Sequence, residues 1–266
     1  MPDLVQLTAE VKKLAIEAGS FVRKEREGFQ RDRVEEKNIH DYVSYVDKES
    51  ERKIIKRLKE LIPEAGFIAE EGTGSFINED YCWVVDPLDG TTNFIHNSCP
   101  FCISIALRSK KEFLIGVVYE ICRDECFWTY KGSKAYLGDK EIHVSNINNL
   151  DDAFIELGFP YDANKYRSFV SLLIEKLYGN VCGLRLQGAA AAELCYIACG
   201  RFEARIEGLL GPWDVAAGGF ILQQAGGKIT DFEGNDTWTS GHTVFASNKL
   251  LHDSILTIIK SLPLHK

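Results

Sequence analysis

The chain has 266 residues and a mass of 29.9 kDa, long enough to bury a large core without staples. It carries 31 Lys plus Arg against 39 Asp plus Glu, a formal charge of −8, a sign that argues against a duplex nucleic-acid binder, which needs a basic face. Apolar residues at 45% and charged residues at 26% exclude disorder as the default, and no apolar run approaches the roughly 18 residues of a bilayer span.

In chain order, Leu7, Val11, Leu14, Ala18 and Phe21 recur at helical spacing, with Thr8 as the expected cap. A polar, charge-dense stretch from Arg23 to Lys37 follows. A second helix is expected from about Lys48 to Ile62, stopped by Pro63 and Gly66, with Asp47 just before it. Phe67-Ile68-Ala69 and Trp83-Val84-Val85 read as short strands. Phe101–Arg108 and Phe113–Cys122 read as a hairpin, and Glu125–Tyr130 as a third strand. The second half alternates: strands at Phe154–Leu157, Cys182–Leu186, Phe202–Ile206, Lys228–Asp231 and Val244–Ala246. Helices are expected at Tyr166–Tyr178, Gly188–Cys199, Asp214–Ala225 and Asn248–Leu262. Strand runs early and alternation later predict mixed α/β layers in one unit over residues 1–266, with sub-layers meeting near residue 150.

The N-terminus shows no basic segment leading into an apolar one, so the cytosol is the expected compartment. Eight cysteines then read as reduced, buried thiols. Cys99-x-x-Cys102 with Cys122-x-x-x-Cys126 is spaced loosely like a zinc ribbon. Its alternating apolar surroundings favour sheet interior over a zinc loop. The six histidines are scattered and read as surface or capping residues.

The carboxylates at element ends carry the chemistry. Asp86 ends a buried strand, Asp89 follows across Pro87-Leu88, and Gly90-Thr91-Thr92-Asn93 comes next. Proline stiffens that turn, and glycine lets backbone approach a ligand. A helical turn starting there would aim N–H groups at a phosphate. Glu70 and Glu71 end a neighbouring strand, and Asp214 opens a helix. In α/β sheets such ends gather on one edge. Two carboxylates about 4 Å apart repel by roughly 4 kcal/mol at an effective dielectric of 20, so they take up protons or a cation. Oxygen-only donors (these carboxylates, the Leu88 carbonyl, the Thr91 hydroxyl) select a hard ion, magnesium before zinc. Each residue alone reads as an ordinary turn, cap or solvated charge; their joint occurrence favours metal-assisted phosphoryl transfer to water. No Asp-x-Asp, P-loop, Gly-x-Ser-x-Gly or Gly-x-Gly-x-x-Gly is present, so no protein nucleophile competes.

Trp83-Val84-Val85-Asp86-Pro87-Leu88-Asp89-Gly90-Thr91-Thr92-Asn93-Phe94 closely resembles the first signature of the inositol monophosphatase family. Trp213-Asp214-Val215-Ala216-Ala217-Gly218-Gly219, continuing to Gln224-Ala225-Gly226-Gly227, resembles the second, and Ala69-Glu70-Glu71-Gly72 the acidic pair. The likeness is to the bacterial inositol-1-monophosphatase type and covers nearly the whole chain. It implies an alternating α-β-α-β-α sandwich, also the fold of fructose-1,6-bisphosphatase. It also implies a homodimer and a magnesium-dependent, lithium-sensitive phosphomonoesterase with two to three ions per site. It maps metal ligands onto Glu70, Asp86, the Leu88 carbonyl, Asp89 and Asp214. It maps the phosphate cradle onto Gly90, Thr91 and Thr92. Asp47 with Thr91, together with Glu70, would orient and deprotonate the attacking water. Polyol contacts map onto Asp89, Gly188, Ala189, Ala190, Glu207 and Asp214. One departure is Ala189, where the family often has Ser or Thr; another is the Asn97-Ser98-Cys99-Pro100 loop. The expected substrate is myo-inositol monophosphate. The alternatives are fructose 1,6-bisphosphate, histidinol phosphate or nucleotide 3′-phosphate, or a protein-interaction role in transcription with incidental catalysis. Neither a membrane nor direct nucleic-acid contact is expected.

Overall fold

The structure, a computed structural model, describes residues 2–30, 34–38, 41–73 and 80–263. Helix α1 (Leu4–Glu27) starts one turn before the expected cap. Asp3 caps it, accepting from the Val5 and Gln6 amides at 3.0 and 3.2 Å, because its carboxylate reaches the unpaired N–H groups. Thr8 is buried inside the helix, its hydroxyl donating to the Leu4 carbonyl. The polar stretch divides between the end of α1 and strand β1 (Val34–Asn38), which pairs antiparallel with β2 (Asp41–Ser44). Helix α2 (Tyr45–Leu61) is capped by Ser44.

A seven-stranded sheet follows, in spatial order β3 (Gly66–Ala69), β4 (Cys82–Asp89), β5 (Cys102–Arg108), β6 (Phe113–Glu120), β7 (Glu125–Tyr130), β8 (Tyr136–Leu137) and β9 (Lys140–Glu141). Helix α3 (Thr91–His96) leaves the end of β4. Within this sheet, among the described residues, only β3 and β4 pair in parallel. The chain then builds β10 (Phe154–Leu157), α4 (Ala163–Leu177), β11 (Gly183–Arg185), α5 (Ala190–Ala198), β12 (Ala204–Gly208), α6 (Pro212–Gln224), β13 (Lys228–Thr230), β14 (Thr243–Ser247) and α7 (His252–Lys260). The second sheet runs β11-β10-β12-β14-β13.

Three apolar clusters define the layers. Val11, Leu14 and Ala18 of α1 and Ile54 and Leu58 of α2 pack with Val85, Ile105 and Val117 on one face of the first sheet. Val84, Cys102, Ala106 and Val118 on its other face meet Leu194 of α5 and Ala217 and Ile221 of α6, which also reach Val244 of the second sheet. Phe169 and Leu173 of α4 and Ile255 and Ile259 of α7 cover the far face through Ile155, Ile206 and Phe245. The result is the expected α-β-α-β-α sandwich. Among the described residues no helix is long and apolar enough to cross a membrane.

Strand β4 does not stop at Asp86. Asp86 pairs with Ser104 and Asp89 with Cys102, so three steps on β4 oppose two on β5. This bulge falls at Pro87, which has no N–H to give the ladder. Side chains alternate with period two, so residues three apart face opposite ways in a regular strand. The extra residue turns Asp86 and Asp89 to the same face, the one bearing Val84, Cys102 and α6.

Two expectations fail here. All eight cysteines are free, but Cys99, Cys122 and Cys182 are exposed rather than buried. Burial does claim Cys82, Cys102, Cys126 and Cys195, and among the described residues the ribbon-spaced cysteines form no group of three or more. His252 is buried, neither a surface nor a capping residue. Its ring stacks on Phe245 and bonds Thr230 Oγ1 at 3.1 Å and Ser247 Oγ at 2.8 Å. His40 and His265 lie outside the described residues.

Burial pushes the His252 imidazole down to about 4. A base depressed in the native state contributes stability above the unfolded value near 6.5, and loses it as pH falls toward the folded value. Between pH 6.5 and 4 this amounts to up to about 3 kcal/mol. The urea midpoint of the wild type should fall over that window more steeply than that of His252→Gln. Parallel pH profiles would contradict the assignment.

Candidate active site

At the carboxyl end of β4, Asp86, Asp89 and Asp214 bring one carboxylate oxygen each to within 4.8 Å of one another. The bulge supplies the first two. Asp214 comes from the first turn of α6, after Pro212 at N1, where its Oδ2 accepts the Gly211 amide at 2.6 Å. Asp86 is 1% and Asp89 8% exposed. Glu70, just past β3, lines the same cavity and is half-buried. It lies outside the tight group of three but acts on Asp86 and Asp214 through its charge.

Burial, then the neighbouring Glu70, Asp89 and Asp214, raises the Asp86 carboxyl well above the ordinary range. Asp214 is raised by burial, Asp89 and Glu70, and Asp89 is pushed up to about 6, chiefly by burial. These are carboxylates held where repulsion is poorly screened. The donors are all oxygens, including the Leu88 carbonyl at the cavity wall, so the set fits a hard divalent cation.

Each carboxylate is also fixed by the backbone. Asp86 Oδ1 accepts the Leu88 amide at 3.0 Å. Asp89 accepts the Ala190 and Ala191 amides at 3.1 and 2.7 Å, so it caps α5 from another part of the chain. Beside them Gly90 takes φ +90, and Thr91 and Thr92 open α3. A Cβ at Gly90 would lie 2.9 Å from the Pro100 carbonyl and 3.2 Å from Ala189 Cβ. Position 90 is therefore restricted both by its left-handed backbone and by space. Gly90, Thr91, Thr92 and Asn93 at the start of α3 line a cavity of about 450 Å³.

Asp47 is not before α2 but at its N3 position, 1% exposed. Its Oδ2 closes a capping box with Ser44, and its Oδ1 accepts Thr91 Oγ1 at 2.7 Å. Burial raises its pKa. Thr91 lines the cavity and Asp47 stands directly behind it.

The residues expected to contact a polyol divide between the cavity and the interior. Glu207 and Gly188 line the cavity, whereas Ala189 is buried against Gly90. The amides of Gly188 and Ala189 go to Glu193 Oε1 at 2.6 and 3.3 Å, and that of Ala190 to Asp89. The segment's N–H groups are thus engaged within the protein. Sequence reasoning passed over Glu193, Glu156, Arg205, Asn93 and Glu51. Asn93 Nδ2 donates to the Pro100 and Gln187 carbonyls, both at 2.7 Å, tying α3 to the 187–189 segment. Glu51, buried in α2, accepts the Glu71 and Thr73 amides at 2.8 Å and so holds the loop carrying Glu70. The available signal was a charge inside an apolar run: Glu156 within Phe154–Leu157, Arg205 within Phe202–Ile206, Glu193 within the Ala-rich helix.

The sequence profile of the inositol monophosphatase family matches residues 3–264. The chain is 38% identical to "Nus factor SuhB" of Pseudomonas aeruginosa, over 86% of this chain and 87% of that protein. It is 36% identical to "Fructose-1,6-bisphosphatase/inositol-1-monophosphatase" of Aquifex aeolicus, over 94% of each. The solved IMPase of Thermotoga maritima superposes with a TM-score of 0.87 at 30% identity, covering 95% of this chain and 96% of that one. With a carboxylate cluster at a sheet edge and a match over nearly its whole length, this chain belongs to the inositol monophosphatase family, a family of metal-dependent phosphatases.

Proposed function

We propose that the chain is a magnesium-dependent phosphomonoesterase that hydrolyses myo-inositol monophosphate to myo-inositol and phosphate. The observation that carries this is the meeting of Glu70, Asp86, Asp89 and Asp214 beside the first turn of α3 and the Thr91–Asp47 pair. Glu70, Asp86, Asp89, Asp214 and the Leu88 carbonyl would hold the magnesium. When bound, magnesium supplies Lewis acidity toward the phosphoryl oxygens and makes a nearby water easier to ionise. The N–H groups of Gly90, Thr91 and Thr92 receive the phosphate. Thr91 has one hydroxyl proton and donates it to Asp47, which leaves its oxygen lone pairs to accept from the attacking water. As that water gives its proton to Thr91 Oγ1, Thr91 passes its own to Asp47, whose carboxylate burial makes a stronger base than an ordinary aspartate. Glu70 helps orient the same water. Glu207, Asp89 and Asp214 take the alcohol side with the Gly188–Ala190 segment, which contributes shape and carbonyl oxygens. Lithium sensitivity and a homodimer rest on the family resemblance, and magnesium rests on it and on the all-oxygen donor set.

A second reading rests on relatives named Nus factor SuhB: a protein-interaction role in transcription, in which catalysis is incidental. An Asp86→Asn variant separates the two, since an interaction role survives the loss of turnover.

Purified protein with magnesium should release phosphate from inositol 1-phosphate faster than from fructose 1,6-bisphosphate, because the Glu207 carboxylate opposes a second phosphate. The reverse order would move the assignment to a bisphosphatase. Asp86→Asn should lower kcat/KM at least about 100-fold, the scale of losing one pre-organised electrostatic contact. Thr91→Ala should fall by a similar factor and Thr91→Ser much less. Equal loss in both Thr91 variants would remove the hydroxyl from the scheme.

The raised carboxyls also make a stability statement. An acid raised in the native state contributes stability below its unfolded pKa and loses it as pH rises through the folded value. The ion-free protein should therefore carry a penalty at pH 8 that is absent at pH 4. Magnesium should raise Tm more at pH 8 than at pH 5, and Asp86→Asn should raise the ion-free Tm at pH 8 while removing the magnesium shift. A magnesium shift that survives in Asp86→Asn would place the ion elsewhere.

A further inference from the structure

We propose that Arg205 is a positioning residue for substrate discrimination, one buried guanidinium that holds both walls of the alcohol subsite in register. This rests on the phosphomonoesterase reading above and adds to it what selects the alcohol. Arg205 lies on β12, is 1% exposed and borders the cavity. Its Nε donates to Glu193 and one terminal nitrogen to Glu207. The other oxygen of Glu193 holds the Gly188 and Ala189 amides at 2.6 and 3.3 Å. The 188–189 segment and Glu207 are 18 or more residues apart in sequence, yet both are referred to the same cation.

Three observations make this a device rather than an ordinary ion pair. Burying a guanidinium is costly, and an apolar side chain of similar size often serves stability as well or better. Glu156, opposite Arg205 in the β10–β12 register, is pushed up to about 9 by burial and by Glu193, and Arg205 gives its hydrogen bonds to Glu193 and Glu207 instead. Glu156 in turn accepts from Gln187, whose carbonyl Asn93 holds, so the same layer braces the segment a second time. Finally, Glu207 is seated against bare backbone: a Cβ at Gly158 would lie 2.0 Å from its carboxyl carbon. The carboxylate is thus set by a fork on one side and a glycine on the other. A carboxylate so fixed accepts hydrogen bonds from substrate hydroxyls without first being ordered. Lysine keeps the charge but offers no rigid fork with two donors in fixed directions.

The test compares kcat/KM for inositol 1-phosphate with that for phenyl phosphate, which has the same phosphate and no hydroxyls on its leaving group. Wild type should favour the polyol ester. In Arg205→Lys the polyol-to-aryl ratio should fall about tenfold or more, chiefly through KM of the polyol ester. Gly158→Ala, which displaces the Glu207 carboxylate and leaves the Arg205 side chain intact, should reduce the ratio in the same direction. A general structural fault lowers both esters together and leaves the ratio alone. A wild-type ratio in Gly158→Ala, or in folded Arg205→Lys, overturns the proposal. Failure of wild type to hydrolyse either ester would instead sink the phosphomonoesterase reading beneath it.

Discussion

The mutual repulsion of buried carboxylates at the end of β4 is the constraint around which the rest of the site is arranged. Asp86, Asp89 and Asp214 would not sit within 4.8 Å of one another unless the fold imposed it. The imposition is local and cheap in residues. A proline bulge turns two acids to one face, a helix start delivers the third, and backbone amides at 2.6 to 3.1 Å hold each of them. The amides of Gly211, Ala190 and Ala191 are groups that a helix start leaves unpaired in any case, and that of Leu88 lies in the bulge. The same hydrogen bonds therefore finish the secondary structure and aim the charges.

Two further carboxylates show the same economy. Asp47 completes the capping box of α2 with one oxygen and binds Thr91 with the other. Glu193 lies in the first turn of α5, holds the segment before that helix, and neutralises Arg205. In both cases one carboxylate joins a helix start to the cavity wall, so the wall is as rigid as the helices behind it. This is the arrangement that catalytic and binding groups need if orientation is to be set before the substrate arrives.

Much of this was legible in the residues, because periodicity and chain punctuation are local signals. Leu7, Val11, Leu14 and Ala18 announce α1, and Phe101–Arg108 with Phe113–Cys122 announce the hairpin. The hairpin of β1 and β2 was not legible, since Val34-Glu35-Glu36-Lys37-Asn38 has no alternation to read. The bulge at Pro87 was missed for a different reason: it depends on pairing with β5, and pairing is not written in β4 alone. Asp47 was misplaced by a few residues because either Ser44 or Asp47 is a competent cap, and only the capping box shows that both are used. Arg205, Glu193 and Glu156 sat in apolar runs as unexplained charges. What they do appears only when β10, β12 and α5 come together.

The central claim is that the carboxylate cluster exists to be neutralised by a divalent cation. Calorimetric titration of the protein with magnesium at pH 6, in two buffers of different ionisation enthalpy, measures this directly, because protons displaced from the raised carboxyls enter the heat. The account predicts saturable binding with net proton release in wild type, and loss of both in Asp86→Asn. Magnesium binding with no proton release, or binding and release unchanged in Asp86→Asn, would contradict it.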